Sequence, residues 1–205
     1  GLPTYIHESN SFAGKSNIWL SKKAKKIFTA SAGMENFFPA NKIVVTGNPV
    51  RKEIVQSAVS KKEALQFFNL DAATTTILSI GGSLGAQSIN EAIARHINEF
   101  TENNLRLIWQ TGKPFKQKAE EVAKNLSNVY VSDFIMRMDM AYAAADLVIS
   151  RSGAMAIAEL SVVKKPAVFV PYPFAAENHQ VANAKMLVNQ NAALMVMNDD
   201  AATKL

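Results

Sequence analysis

The 205-residue sequence contains no cysteine, which excludes disulfides and thiolate metal ligands and fits a reducing compartment. Long hydrophobic runs are missing too. None approaches the roughly 20 consecutive apolar residues that span a bilayer, so any membrane contact is expected to be peripheral. There is no Asp-x-Asp pair, the usual carboxylate signature for a bound catalytic cation, and no metal is expected. The opening, Gly1 to Ile6, lacks methionine, a charged start and a long apolar stretch. It reads neither as a signal peptide nor as a natural beginning, and a cut edge is expected there. A second is expected at Asn198 to Leu205, which reads as a turn with a new helix starting. Internal repeats and low-complexity tracts are absent. What is present is 48% hydrophobic residues, enough for one complete domain plus part of another. The formal net charge of +5 suits an anionic partner, but a modest lysine excess is also what many soluble proteins carry.

From residue 74 onward, short runs rich in β-branched residues alternate with amphipathic stretches of helical length, the pattern of a parallel sheet flanked by helices. Strands are predicted at Thr75 to Ile80, Leu105 to Gln110, Val129 to Ser132, Leu147 to Ser150, Ala167 to Val170 and Ala193 to Val196. Near-continuous apolar runs such as Leu147-Val148-Ile149 suit burial on both faces of a doubly wound sheet. The expected fold class is therefore α/β. Before residue 50, Thr4 to Ile6, Lys26 to Thr29 and Ile43 to Thr46 read as three strands with one helix near Lys15 to Lys23, too little for a domain. The turn-forming Gly47-Asn48-Pro49 step places a boundary there. Residues 1–50 are expected to be the tail of one domain, and residues 51–205 a second.

Several loops carry candidate chemistry. The strand ending at Ile80 runs into Gly81-Gly82-Ser83-Leu84-Gly85-Ala86 and then a helix, which either cradles an anion or simply turns the corner. No acidic residue follows the next strand, which closes in Thr111-Gly112, so the dinucleotide fingerprint is not met. A second loop, Ser150-Arg151-Ser152-Gly153-Ala154, leaves a strand through small residues that give a ligand room. Glu159 then falls among apolar neighbours, where a carboxylate must be paired or must bind something such as ribose hydroxyls. The run Ser9 to Ser16 ends in Gly-Lys-Ser but has Ser9 where a P-loop needs its first glycine, and it is not read as one. The loop from Val170 to Gln180 is stiffened by Pro171 and Pro173 and ends in polar residues that either contact a ligand or cap a helix. His96 reads as a solvated helix residue.

Taken together, these loops resemble the peptidoglycan N-acetylglucosaminyltransferases of glycosyltransferase family 28, two-domain enzymes of the GT-B fold. The resemblance rests on His7-Glu8-Ser9-Asn10 with Ala13-Gly14, Gly47-Asn48-Pro49-Val50-Arg51, Gly81 to Ala86, Arg151-Ser152-Gly153-Ala154, Glu159, and His179-Gln180 with Asn183-Ala184. It implies transfer of N-acetylglucosamine from UDP-N-acetylglucosamine to lipid I, forming lipid II, by inversion and without metal or other cofactor. It also implies a donor site. Ser83 is expected at phosphate, and Ile135 at the uracil edge through its backbone. The amides of Ala154, Met155 and Ala156 are expected at the diphosphate, with Glu159 on the ribose, and Ile157 and Ala158 are expected among the donor-binding residues. Gln180, with His179, is expected at the sugar, and Arg51 and Asn10 complete the set.

Ser9 and Leu84 stand where the resemblance implies glutamine, and Leu84 removes a polar contact near the phosphate or sugar. The resemblance also implies that the front of the first domain, with the family's catalytic histidine, lies outside this sequence. No catalytic base is assigned and the chain alone is expected not to turn over. Lys15, Lys22, Lys23, Lys25 and Lys26, beside Ile18, Trp19 and Leu20, either face anionic lipid at the cytoplasmic side of the inner membrane or form a solvated helix with Trp19 packed inward. No nucleic-acid partner is expected. The competing readings are another nucleotide-sugar protein such as a UDP-N-acetylglucosamine epimerase, a non-catalytic donor-binding subunit, and a nucleotide-binding oxidoreductase.

Overall fold

The computed structural model describes residues 2–71, 74–175 and 178–205. Gly1, at the expected cut edge, and Ala176 and Glu177, in the proline-stiffened loop, lie outside the described residues, as do Ala72 and Ala73.

The chain opens with a small parallel sheet. Strand β1 (Tyr5–Glu8), helix α1 (Lys15–Ser21), β2 (Lys26–Thr29) and β3 (Ile43–Val45) follow in order, and the strands lie in the order β1-β2-β3. Ile27 of β2, Ala13, Ala24, Met34 and Phe38 form its core. β1 reaches further than the apolar pattern suggests, because the polar His7 and Glu8 continue the register against Phe28 and Thr29.

Two short helices, α2 (Lys52–Val55) and α3 (Lys61–Phe67), lead into the larger sheet. α3 starts at a capping box, in which the Glu63 N–H donates to Ser60 Oγ and the Glu63 carboxylate accepts the Ser60 N–H. Then come β4 (Thr76–Ile80), α4 (Gln87–Arg95), α5 (Ile97–Glu102), β5 (Arg106–Gln110), α6 (Lys116–Val122), β6 (Val129–Ser132), α7 (Met138–Ala144), β7 (Leu147–Ser150), α8 (Ala154–Val163), β8 (Ala167–Phe169), α9 (His179–Val188), β9 (Leu194–Met195) and α10 (Ala201–Lys204). All six strands expected from the sequence after residue 74 are found, and all pair in parallel in the order β6-β5-β4-β7-β8-β9.

Side-chain alternation sends the sheet's apolar residues to two cores. Leu78, Ile108, Val148 and Phe169 face one side with α2, α3, α7, α8 and α9, while Leu107, Trp109 and Ile149 face the other with α4 and α5. Both faces are thus covered, which is why these strands read as continuous apolar runs. The chain builds outward from β4 to β6, returns to β7 beside β4, and builds outward again. That reversal leaves a crevice beyond the carboxyl ends of β4 and β7, the place where open α/β sheets take ligands.

Candidate functional site

A cleft of about 1210 Å³ occupies this crevice. Eight expected site residues line it: Arg51, Ser83, Ile135, Ala154, Met155, Ala156, Glu159 and Gln180. Four do not. The Ile157 side chain is buried in the core and its N–H is spent inside the helix on the Gly153 carbonyl. Ala158 lines a separate small cavity of about 230 Å³. Asn10 and His179 lie off the cleft.

One wall is the loop Gly81 to Ala86. It presses against the exit of β5 so closely that a Cβ on Gly85 (φ +78°) would overlap the Thr111 backbone, and one on Gly112 (φ +73°) would overlap Leu84. Only glycine satisfies both the left-handed backbone and the contact. The loop holds Ser83 exposed at the cleft, and Leu84 is 81% exposed.

The opposite wall is the N-terminus of α8. Gly153 caps it in extended conformation with no side-chain bond, so the first-turn amides have no partner inside the helix and face the cleft with the positive end of the helix dipole. That is the arrangement that holds phosphate. Arg151, just before it, is fixed by donating to the carbonyls of Val170 and Pro171, to Asn198 Oδ1 and to Ser88 Oγ. Burial pushes its pKa down from the usual value. Its guanidinium also lies 5.5 Å from the Tyr172 ring centroid, so it braces the cleft's rim.

Glu159 resolves one alternative left open by the sequence. It is paired: Arg51 Nη2 donates to Oε1 at 3.1 Å and the Tyr142 hydroxyl donates to Oε2 at 2.8 Å. Burial, and then the adjacent Glu159 charge, drive the Tyr142 phenol well above its ordinary range, so it remains a donor. A carboxylate has about four acceptor positions, so these two bonds leave Glu159 capacity for hydroxyls. Tyr142 was not singled out from the sequence, since nothing marks a tyrosine on an apolar helix as the partner of an acid seventeen positions on.

Ile135 is buried, and its N–H donates to Gln110 Oε1 at 3.0 Å. A base docking through that N–H displaces Gln110, whereas one docking through the carbonyl does not. Gln180 Oε1 accepts the Tyr172 N–H and its carbonyl accepts from Ser152 Oγ, which ties the proline-stiffened loop to the start of α8.

Asn10 is held away from the cleft. Its amide nitrogen donates to Glu8 Oε1, and its Oδ1 accepts from Asn183 Nδ2 at 3.1 Å. Asn183, 3% exposed, also donates to the Ser152 carbonyl and accepts from the Ser11 N–H and hydroxyl. Asn48 Nδ2 adds bonds to the Ser9 and Ala154 carbonyls. His179 packs its ring 5.9 Å from that of Phe12, and its Nδ1 is buried without a hydrogen-bond partner among the described residues.

Trp19 is 68% exposed on α1 and Leu20 is 42% exposed, so Trp19 does not pack inward. Among the described residues no helix is long and apolar enough to cross a membrane, and no three His, Asp or Glu side chains gather to hold a metal ion.

Residues 76–205 match the model of the glycosyltransferase family 28 C-terminal domain. The whole chain is 49% identical to the UDP-N-acetylglucosamine–N-acetylmuramyl-(pentapeptide) pyrophosphoryl-undecaprenol N-acetylglucosamine transferases of Parabacteroides distasonis and Bacteroides thetaiotaomicron, and it spans 56% of the length of each. The crystal structure of Acinetobacter baumannii MurG is similar over 97% of this chain and 55% of that one, with a TM-score of 0.75 and 32% identity. The UDP-GlcNAc 2-epimerase from Neisseria meningitidis bound to UDP-GlcNAc is similar in fold alone, with a TM-score of 0.59 and 15% identity over 89% of this chain and 52% of that one. The chain thus spans just over half the length of its relatives.

Proposed function

Because the chain belongs to glycosyltransferase family 28, we propose that its cleft binds UDP-N-acetylglucosamine as the donor half of an N-acetylglucosaminyltransferase whose acceptor is lipid I and whose product is lipid II. Its α/β architecture is of the GT-B type. The observation that carries the reading is the crevice at the strand-order reversal, with the amides of the α8 N-terminus on one side and the Gly81 to Ala86 loop on the other. In this reading residues 51–205 are the donor domain and residues 1–50 belong to the acceptor domain.

In the site so assigned, the diphosphate lies between Ser83 and the first-turn amides of Ala154 to Ala156, and Glu159 takes ribose hydroxyls. Gln180 reads the sugar and Ile135 the base. The reaction is displacement at the anomeric carbon by a sugar hydroxyl of the acceptor, with inversion. The bond to the β-phosphate oxygen breaks and UDP leaves as an anion. Preorganised dipoles aimed at that developing charge are what such a step needs, and the α8 amides and the Arg51 guanidinium supply them. No residue of this chain is assigned as the base. The exposed Trp19 and Leu20, flanked by lysines, suit a peripheral site on an anionic membrane face, each basic residue contributing about 1 kcal/mol.

The test is calorimetric titration of the chain with UDP-N-acetylglucosamine, UDP-glucose and NAD. Binding of the first, weaker binding of the second and none of the third is expected. Glu159→Ala should weaken the first roughly tenfold or more through loss of charged hydrogen bonds. Preferential binding of NAD would overturn the proposal, and unchanged affinity in Glu159→Ala would remove that residue from the site.

A further inference from the structure

Gln110 ends β5, the strand that lies between β4 and β6. Its neighbours in the sheet therefore launch two different walls of the cleft: β4 runs into the Gly81 to Ala86 loop, and β6 runs toward Ile135. The Gln110 side chain, on a residue only 5% exposed, reaches both. Its Nε2 donates to the Gly82 carbonyl at 3.1 Å, and its Oε1 accepts the Ile135 N–H at 3.0 Å. A primary amide can do this because one end donates while the other accepts. Leucine offers neither, and an ionised glutamate only accepts.

In the site proposed above, Ser83 beside Gly82 meets phosphate and the Ile135 carbonyl meets the base, which leaves the Ile135 N–H on Gln110, so the bridge spans the two ends of one ligand. We infer that Gln110 is a positioning residue that fixes the separation between the base and phosphate subsites, and thereby makes the affinity for a nucleoside diphosphate depend on a side chain that need touch neither the leaving oxygen nor the anomeric carbon. This rests on the reading of the cleft as a UDP site. The physical basis is preorganisation: a ligand that engages two subsites at once gains affinity over its separate halves only while the subsites are held at the matching distance. When the bridge is lost, the linked ligand must order the loops itself, whereas each half still finds its own subsite.

The experiment titrates the 205-residue chain and its Gln110→Leu and Gln110→Glu variants with UDP, uridine and inorganic pyrophosphate, using ligand-observed NMR for the weak halves. Gln110→Leu should weaken UDP by roughly tenfold or more while uridine and pyrophosphate each change by less than about threefold. In Gln110→Glu the donor toward Gly82 returns only when the carboxyl is protonated. Its UDP affinity relative to the unsubstituted chain should therefore recover as the pH is lowered from about 7 to about 5. A parallel fall for all three ligands, with a lower melting temperature, would mean that Gln110 merely holds the fold. A fall for one half alone would make it a local contact. Either result overturns the inference. UDP binding that is unchanged in Gln110→Leu overturns the bridge alone, and absence of UDP binding by the unsubstituted chain overturns the bridge and the UDP site together.

Discussion

At Glu8, burial and hydrogen bonding pull in opposite directions. Burial raises the carboxyl's pKa, but donors from the Asn17 side chain, the Asn10 and Gly14 N–H groups and the Asn10 side chain outweigh it and leave the group below its ordinary value of 4.5. In the unfolded chain the group therefore takes up its proton first as pH falls. The stability it contributes is fully present above about pH 4.5 and is lost as pH drops through the lower folded value. Glu8→Gln should lower the melting temperature at neutral pH and flatten its decline between about pH 5 and pH 3; a slope equal to that of the unsubstituted chain would show that Glu8 is not the acid-sensitive group. Single residues were legible in the sequence where their chemistry clashed with their neighbours. Glu159 stood out as an acid in an apolar helix, and the glycines of the Gly81 to Ala86 loop as a break after a strand. Gln110 and Tyr142 did not, and Asn183 was noticed only as part of a motif, because the role of each is set by partners far along the chain, as with Asn183 and Ser11.

Elements were legible wherever burial on both faces wrote a continuous apolar run, as in β5 and β7. Boundaries drifted where polar residues extend the pairing, as at His7 and Glu8, or where a pair is very short, as in β9, which joins only Leu194 and Met195 to β8. Packing between elements was not legible. The Gly85 and Gly112 backbones meet across a turn that the sequence shows only as scattered glycines. Gly112→Ala should destabilise the chain by about 2 kcal/mol or more in urea unfolding, through both its left-handed backbone and overlap with Leu84. Gly82→Ala, also left-handed but with open space around the added methyl, should cost only about 1 kcal/mol. Equal losses would show that backbone strain alone matters.

Across the whole molecule, two parallel sheets are joined through the Gly47 to Arg51 segment and held by polar contacts rather than by a shared apolar core. Asn183 makes three of these bonds, one to Asn10 and two from Ser11. Asn183→Ala should destabilise the union by about 2 to 3 kcal/mol, because it strands buried partners, and residues 1–46 should be clipped faster in limited proteolysis while the large sheet survives. Equal digestion rates would show that the sheets adhere without it. The polar clasp between the two sheets was not readable from the sequence. The reversal of strand order has one more consequence, for the order of assembly. Ile77 of β4 pairs with Leu107 on one side but with Leu147 on the other. During synthesis β4, β5 and β6 can associate while β7 is still being made, and the cleft then has a single wall. A half-made chain therefore has no complete cleft, and the nucleotide proposed for that cleft would prolong the life of the finished fold without hastening its formation.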